Sequence, residues 1–205
     1  VNNDYNLRNG CQQLHDCRHN GSHRGPSSFY KHDSNLVFEK LALKKGDTLL
    51  DLGCGAGDYS IYAAKIVGES GNVYALDLHK EILDHVCKEA EAQGFSNIHP
   101  VVSDIRRRID IPDDKIDICL IATVLHTIDF PTGKANLFSE VRRVLKSVGK
   151  LAVIECKKED GLHGPPLYLR ISPEELEKGL EEYGFSKTDY IDLGPNYMMM
   201  FVLNH

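Results

Sequence analysis

The sequence contains no apolar run long enough to cross a bilayer, which takes about 20 residues. Its opening stretch, Val1–Gly10, holds neither the apolar h-region of a secretory leader nor an initiator methionine, so a processed or trimmed start without a secretory signal is expected. A basic excess is also missing. Lys plus Arg number 24 against 30 Asp plus Glu, a net charge of −6, and gripping nucleic acid or an anionic membrane nonspecifically needs a positive field. The chain also lacks the short, loop-rich frame of a disulfide scaffold. Of its six cysteines, Cys54, Cys87, Cys119 and Cys156 fall in predicted helices, strands or a glycine turn, so reduced thiols and a cytoplasmic location are expected.

What is present is ordinary globular material: 205 residues, 41% hydrophobic and 26% charged, enough for one domain with a full core. Residues 1–34 form a predicted irregular arm or cap, carrying four of the ten histidines and little apolar periodicity. From residue 35 the pattern turns regular. Helices are predicted over 35–44, 59–67, 80–93, 132–147 and 173–183, the last opened by Ser172-Pro173-Glu174-Glu175, a capping box with Pro at the first turn. Strands are predicted over 47–52, 72–78, 97–102, 116–122, 150–156, 185–193 and 197–203, the final two flanking the turn Gly194-Pro195-Asn196. Such alternation predicts an α/β fold: a mostly parallel sheet, helices on both faces, a closing antiparallel hairpin, and ligand at the carboxyl ends of the strands.

The sharpest motif is Leu50-Asp51-Leu52-Gly53-Cys54-Gly55-Ala56-Gly57, where a strand turns through glycines into a helix. Glycines there let bare backbone approach a ligand. A dinucleotide fingerprint wants another glycine at position 58, where Asp58 stands. With Asp51 just ahead of the loop, the charge repels a pyrophosphate and disfavours NAD. It suits a ligand bearing an ammonium and a sulfonium, which S-adenosylmethionine does. Asp77 follows Asp51 by 26 residues and Asp104 follows Asp77 by 27. Each ends a predicted strand, where a carboxylate can accept ribose hydroxyls or an adenine amino group. The rival explanation, that all three cap helices in a ligand-free fold, is the weaker one.

These residues sit in LLDLGCGAGDYS, VYALDL, VSDI, IDICLIATVLHTI and VRRVLKSVGKLAVIE. Together the motifs resemble those of the class I S-adenosylmethionine-dependent methyltransferases, over about residues 35–205, and in layout the small branch related to the ubiquinone/menaquinone C-methylating enzymes. The resemblance implies a Rossmann-like seven-stranded sheet of order 3-2-1-4-5-7-6. It also implies cofactor contacts at Asp51, Gly53, Cys54, Gly55, Asp77, Leu78, Asp104, Ile105 and Ala122.

Methyl transfer from a sulfonium is an in-line displacement with a leaving group already activated. The protein's main work is positioning, worth roughly 7–11 kcal/mol, and a base is needed only when the nucleophile must lose a proton. His126, after the fourth predicted strand, is the candidate base; packing against cofactor is its plainer alternative. Tyr30, Lys157 and Arg170 are candidate acceptor contacts, the two cations suiting an anionic acceptor. The Asn-Pro-Pro-aromatic run of amino-methylating enzymes and the Pro-Cys nucleophile of cytosine C5 enzymes are both missing after the fourth strand. Cys11, His15, Cys17, His19 and His23 are zinc-ligand types at a spacing that matches no finger pattern, so a disordered or packed arm without metal is favoured. A small-molecule acceptor is the expected partner. An RNA or protein methyltransferase and a non-catalytic S-adenosylmethionine-binding subunit are the alternatives.

Overall fold

A computed structural model of the chain describes residues 27–128 and 130–204. The arm proper, with Cys11, His15, Cys17, His19 and His23, lies outside the described residues. In chain order the elements are α1 (Ser34–Leu41), β1 (Thr48–Leu52), α2 (Asp58–Val67), β2 (Asn72–Asp77), α3 (Lys80–Ala92), β3 (Ile98–Val102), β4 (Ile116–Ala122), α4 (Phe130–Val144), β5 (Leu145–Cys156), α5 (Pro173–Glu181), β6 (Phe185–Leu193) and β7 (Asn196–Leu203). Short 3-10 turns occupy Ser28–Tyr30, Leu125–Thr127 and Leu167–Leu169.

The seven strands form one sheet of order β3-β2-β1-β4-β5-β7-β6. β7 runs antiparallel to both neighbours, and the remaining pairs are parallel. Both faces of the sheet are covered, which is why β1 reads as an unbroken run with every residue buried. Leu50 and Leu52 face a cluster with Leu137, Phe138, Val141 and Leu176 from α4 and α5. Leu49 faces the opposite cluster, with Val37, Phe38 and Ala63 from α1 and α2. β2 lies on one side of β1 and β4 on the other, so the direction of winding reverses between β1 and β4. In open α/β sheets ligands bind outside the carboxyl ends of the strands at such a switch point.

Local chemistry sets the element ends. Ser172 accepts from the Glu175 amide, and Glu175 Oε2 accepts from the Ser172 amide at 2.7 Å, completing the box that starts α5. Asp33 caps α1 by accepting from the Asn35 and Leu36 amides. α4 stops at Val144, three residues before the predicted end at 147. There Leu145 pairs with Ile116, and the ladder shifts register before Ile118 meets Lys150. Lys146 is held on Asp117 at 2.7 Å, and a side chain at Gly149 would press to 3.0 Å from the Ile116 carbonyl. Strand pairing overrides the helical periodicity of those residues.

The described end of the arm, residues 27–33, lies on α2. Phe29 is buried, its ring edge-on to Tyr59 at 5.1 Å. The Tyr59 hydroxyl bonds His32 Nε2 at 2.8 Å and Ser28 Oγ at 3.3 Å. No helix among the described residues is long and apolar enough to cross a membrane.

Candidate active site

The glycine loop follows β1. The amides of Gly53 and Cys54 both donate to the Leu76 carbonyl, at 2.8 and 2.9 Å, so the loop leans onto the end of β2. Gly53 has φ +79, and a β-carbon there would stand 2.6 Å from Val124 Cγ2, a contact no larger residue could make. Gly55, at φ +49, meets nothing within 4 Å of where its β-carbon would be. Its bare backbone faces open space, as a ligand cradle requires. Cys54 is buried, which pushes its thiol up from the ordinary range and argues against thiolate chemistry.

Three carboxylates gather around this loop. Asp77, at the end of β2, accepts from the Gly55 amide at 3.2 Å through one oxygen and from the His79 amide at 3.0 Å through the other. Backbone thus fixes its orientation, while each oxygen keeps acceptor capacity. Asp51 is 1% exposed and accepts from Ser60 Oγ at 2.6 Å. Burial pushes its carboxyl up to about 7; the Ser60 hydrogen bond opposes this, and repulsion from Asp77 and Asp58 adds to it. Asp58 opens α2 and accepts from the Tyr30 hydroxyl at 3.0 Å. The loop is therefore a negatively charged cradle that a cationic ligand would relieve.

Beside it, Leu78 is 55% exposed and Val102 56% exposed, apolar surfaces next to Asp77 and at the end of β3. Asp104 follows β3, but its carboxylate is already clasped by Arg106, at 2.9 Å from Nε and 2.8 Å from Nη2. Those hydrogen bonds hold the Asp104 carboxyl down at about 2. An adenine amino group would share this carboxylate with a guanidinium. Ile105 packs on the α4 side of the core and Ala122 on the α2 side, both partly buried.

β4 ends in a strained turn: Thr123 is β-branched yet has φ +55. Its amide donates to the Ile154 carbonyl at 2.7 Å, and the 3-10 turn Leu125–Thr127 then presents His126. Val124 from this turn is the neighbour that Gly53 accommodates, so histidine turn and glycine loop adjoin. His126 Nδ1 lies 3.0 Å from Glu155 Oε2. Glu155, wholly buried near the end of β5, also accepts from the Leu125 amide at 2.7 Å.

The acceptor cations expected from sequence are engaged elsewhere. Arg170 is 6% exposed and donates to the carbonyls of Pro165, Lys157, Glu159 and Leu162. Four of its five N–H groups thereby tie down the loop after β5, so the side chain is a staple of that loop. Lys157 pairs with Asp192 at 2.8 Å. Tyr30 keeps a 61% exposed ring above Asp58. Among the described residues no cluster of three or more His, Cys, Asp or Glu could hold a metal. Sequence reasoning missed Glu155, Ser60 and Val102. Only Glu155 carried a readable signal, a charge inside the apolar run of β5.

A family profile described as a methyltransferase domain matches residues 43–194. The chain belongs to the S-adenosylmethionine-dependent methyltransferases. Its fold superposes on an S-adenosylmethionine-dependent methyltransferase from Aquifex aeolicus with a TM-score of 0.78 and 31% identity, covering 87% of this chain and 93% of that one. A demethylmenaquinone methyltransferase from Lactobacillus johnsonii is 35% identical over 121 residues, 59% of this chain and 48% of that protein. A 2-phytyl-1,4-naphtoquinone methyltransferase from Trichormus variabilis is 31% identical over 147 residues, 70% of this chain and 58% of that protein. The chain thus spans about half the length of these curated relatives. This methyltransferase domain has the sheet order and the C-terminal hairpin that the sequence motifs imply, and its glycine cradle fits the family's cofactor.

Proposed function

We propose that the chain transfers a methyl group from S-adenosylmethionine to a small-molecule acceptor in the crevice between β1 and β4. The observation that carries this reading is the anchored Asp77 carboxylate beside an open, acid-lined glycine loop. When bound, S-adenosylmethionine supplies a methyl on a positively charged sulfur, and the sulfur leaves as a neutral thioether.

In this reading the protein's residues bind, orient and exclude water. Asp77 accepts the ribose hydroxyls, Leu78 and Val102 flank a flat apolar ring, and Asp104 receives its amino group alongside Arg106. Gly53, Cys54 and Gly55 offer backbone to the amino-acid end, whose ammonium is drawn by Asp51 and Asp58. His126 takes the proton of the acceptor when the attacking atom carries one. Two relatives are named for demethylmenaquinone and 2-phytyl-1,4-naphtoquinone, which supports a small organic acceptor here. With Arg170 and Lys157 engaged in the protein's own bonds, an anionic group on that acceptor is no longer required.

Two measurements test the reading. Calorimetry should give tight S-adenosylhomocysteine binding and none for NAD. Labelled methyl offered to cell extract split into small-molecule, protein and RNA fractions should enter the small-molecule fraction. Label in protein or RNA would replace the acceptor class, and cofactor binding without transfer to any fraction would indicate a regulatory subunit.

A further inference from the structure

Glu155 is a fully buried carboxylate that, among the described residues, no permanently charged cation pairs with. A buried charge is tolerated only where hydrogen bonds satisfy it. Glu155 has two such bonds, and both lead to the same place. Oε1 accepts from the Leu125 amide at 2.7 Å, which fixes the turn, and Oε2 faces His126 Nδ1 at 3.0 Å, which fixes the ring. The backbone amide can only donate. A carboxylate can only accept. With Glu155 ionised, a neutral His126 carries its proton on Nδ1, leaving the lone pair on Nε2. That nitrogen has no protein partner among the described residues, and the side chain is 19% exposed at the carboxyl end of β4.

We propose that Glu155 is a positioning residue that holds His126 as a base directed at the acceptor, a role that rests on the methyl-transfer reading above. As the acceptor atom forms its bond to the methyl carbon, the carbon–sulfur bond breaks and its electron pair stays on sulfur. The acceptor's proton passes to Nε2 of His126. The imidazolium so formed lies against the Glu155 carboxylate, which keeps its own charge and takes no proton.

Glu155→Gln separates this role from mere support of the turn. The Leu125 amide demands an oxygen, so the glutamine must turn its NH2 toward His126 Nδ1. The ring then accepts there and moves its own proton to Nε2, which closes the base with almost no change of shape. The test uses the full chain saturated with S-adenosylhomocysteine. Imidazole 15N shifts of His126 are read with the ring neutral, and single-turnover transfer of labelled methyl is measured into whichever extract fraction the wild type labels.

The wild type should show the proton on Nδ1, and Glu155→Gln should show it on Nε2. Transfer should fall by on the order of 100-fold or more, the usual contribution of a base, with S-adenosylhomocysteine affinity within threefold of wild type. The double variant Glu155→Gln/His126→Ala should transfer no more slowly than His126→Ala alone. An unchanged tautomer, or a changed tautomer with undiminished transfer, overturns the proposal. If Glu155→Gln does not fold, His126→Ala decides alone, because Glu155 acts only through His126: undiminished transfer overturns the role and a comparable fall supports it. No transfer by the wild type overturns the methyl-transfer reading and the positioning role with it, a failure distinguished by there being no label to lose.

Discussion

The buried Asp51 should make the stability of this domain depend on pH in a direction opposite to that of most carboxylates. In the native state burial pushes its carboxyl up from 3.8 to about 7, whereas in the unfolded chain it returns to its ordinary value. Below about pH 4 both states hold the proton and the full stability is present. Between about pH 4 and 7 only the native state holds it, so stability falls as pH rises through that window. At about 1.36 kcal/mol per pH unit, a shift of about three units corresponds to about 4 kcal/mol. His32 runs the other way in an overlapping window. Burial lowers its imidazole from 6.5 to about 4, so it adds stability as pH rises from about 4 to 6.5, and the wild-type curve mixes the two. Asp51→Asn keeps the shape and the Ser60 contact but does not titrate. Urea denaturation from about pH 4.5 to 8 on both proteins gives a difference in which His32 cancels. The variant should gain on the wild type by about 3 kcal/mol across that range, the remainder of the shift falling below pH 4.5. Parallel curves would show that Asp51 is charged in the native protein at every pH tested, and would refute the burial argument.

Removing the carboxylate in Asp77→Ala should weaken S-adenosylhomocysteine binding at least tenfold by calorimetry, since one side chain organises the loop at Gly55 and, in the proposed reading, accepts from the ribose; unchanged affinity would sink the ribose assignment. Gly55→Ala should cost about 1–2 kcal/mol in thermal or urea unfolding, the cost of a left-handed conformation, because no neighbour is struck. The same methyl group should enter the cradle and weaken ligand binding more than tenfold, so a stability loss without an affinity loss would mean that ligand lies elsewhere. Arg170→Ala should destabilise by about 2–4 kcal/mol, because four part-buried carbonyls lose a charged donor at once. A loss below about 0.5 kcal/mol would mean that the loop after β5 does not depend on the guanidinium.

What the sequence made legible follows from how local each determinant is. The glycine loop, Asp77 and the α5 capping box are written in consecutive or closely spaced residues, and each lies where spacing placed it. The end of α4 was misread because residues 145–147 keep helical periodicity while a long-range pairing with Ile116 draws them into β5. Cation assignments meet a related limit. Charge type is visible in a sequence, but whether Arg170 points at a ligand or at the carbonyls of its own loop depends on a turn that only the folded chain defines. Asp104 shows the same limit at shorter range, since Arg106 stands two residues away and closes back on it.

Glu155 is the instructive omission, because its signal was physical rather than positional. An apolar run such as LAVIEC is a central strand, and a charge inside one is too costly to keep unless something within reach compensates it. The compensating groups lie 30 and 29 residues away, on the turn after the neighbouring strand. Parallel pairing of β4 with β5 is what brings them together: Ala122 stands beside Ile154, so the residues just beyond each continue side by side. A sheet order read from motifs therefore already contained the contact. Once β4 and β5 are adjacent, a buried acid at the end of one and a histidine after the end of the other have few other partners to find.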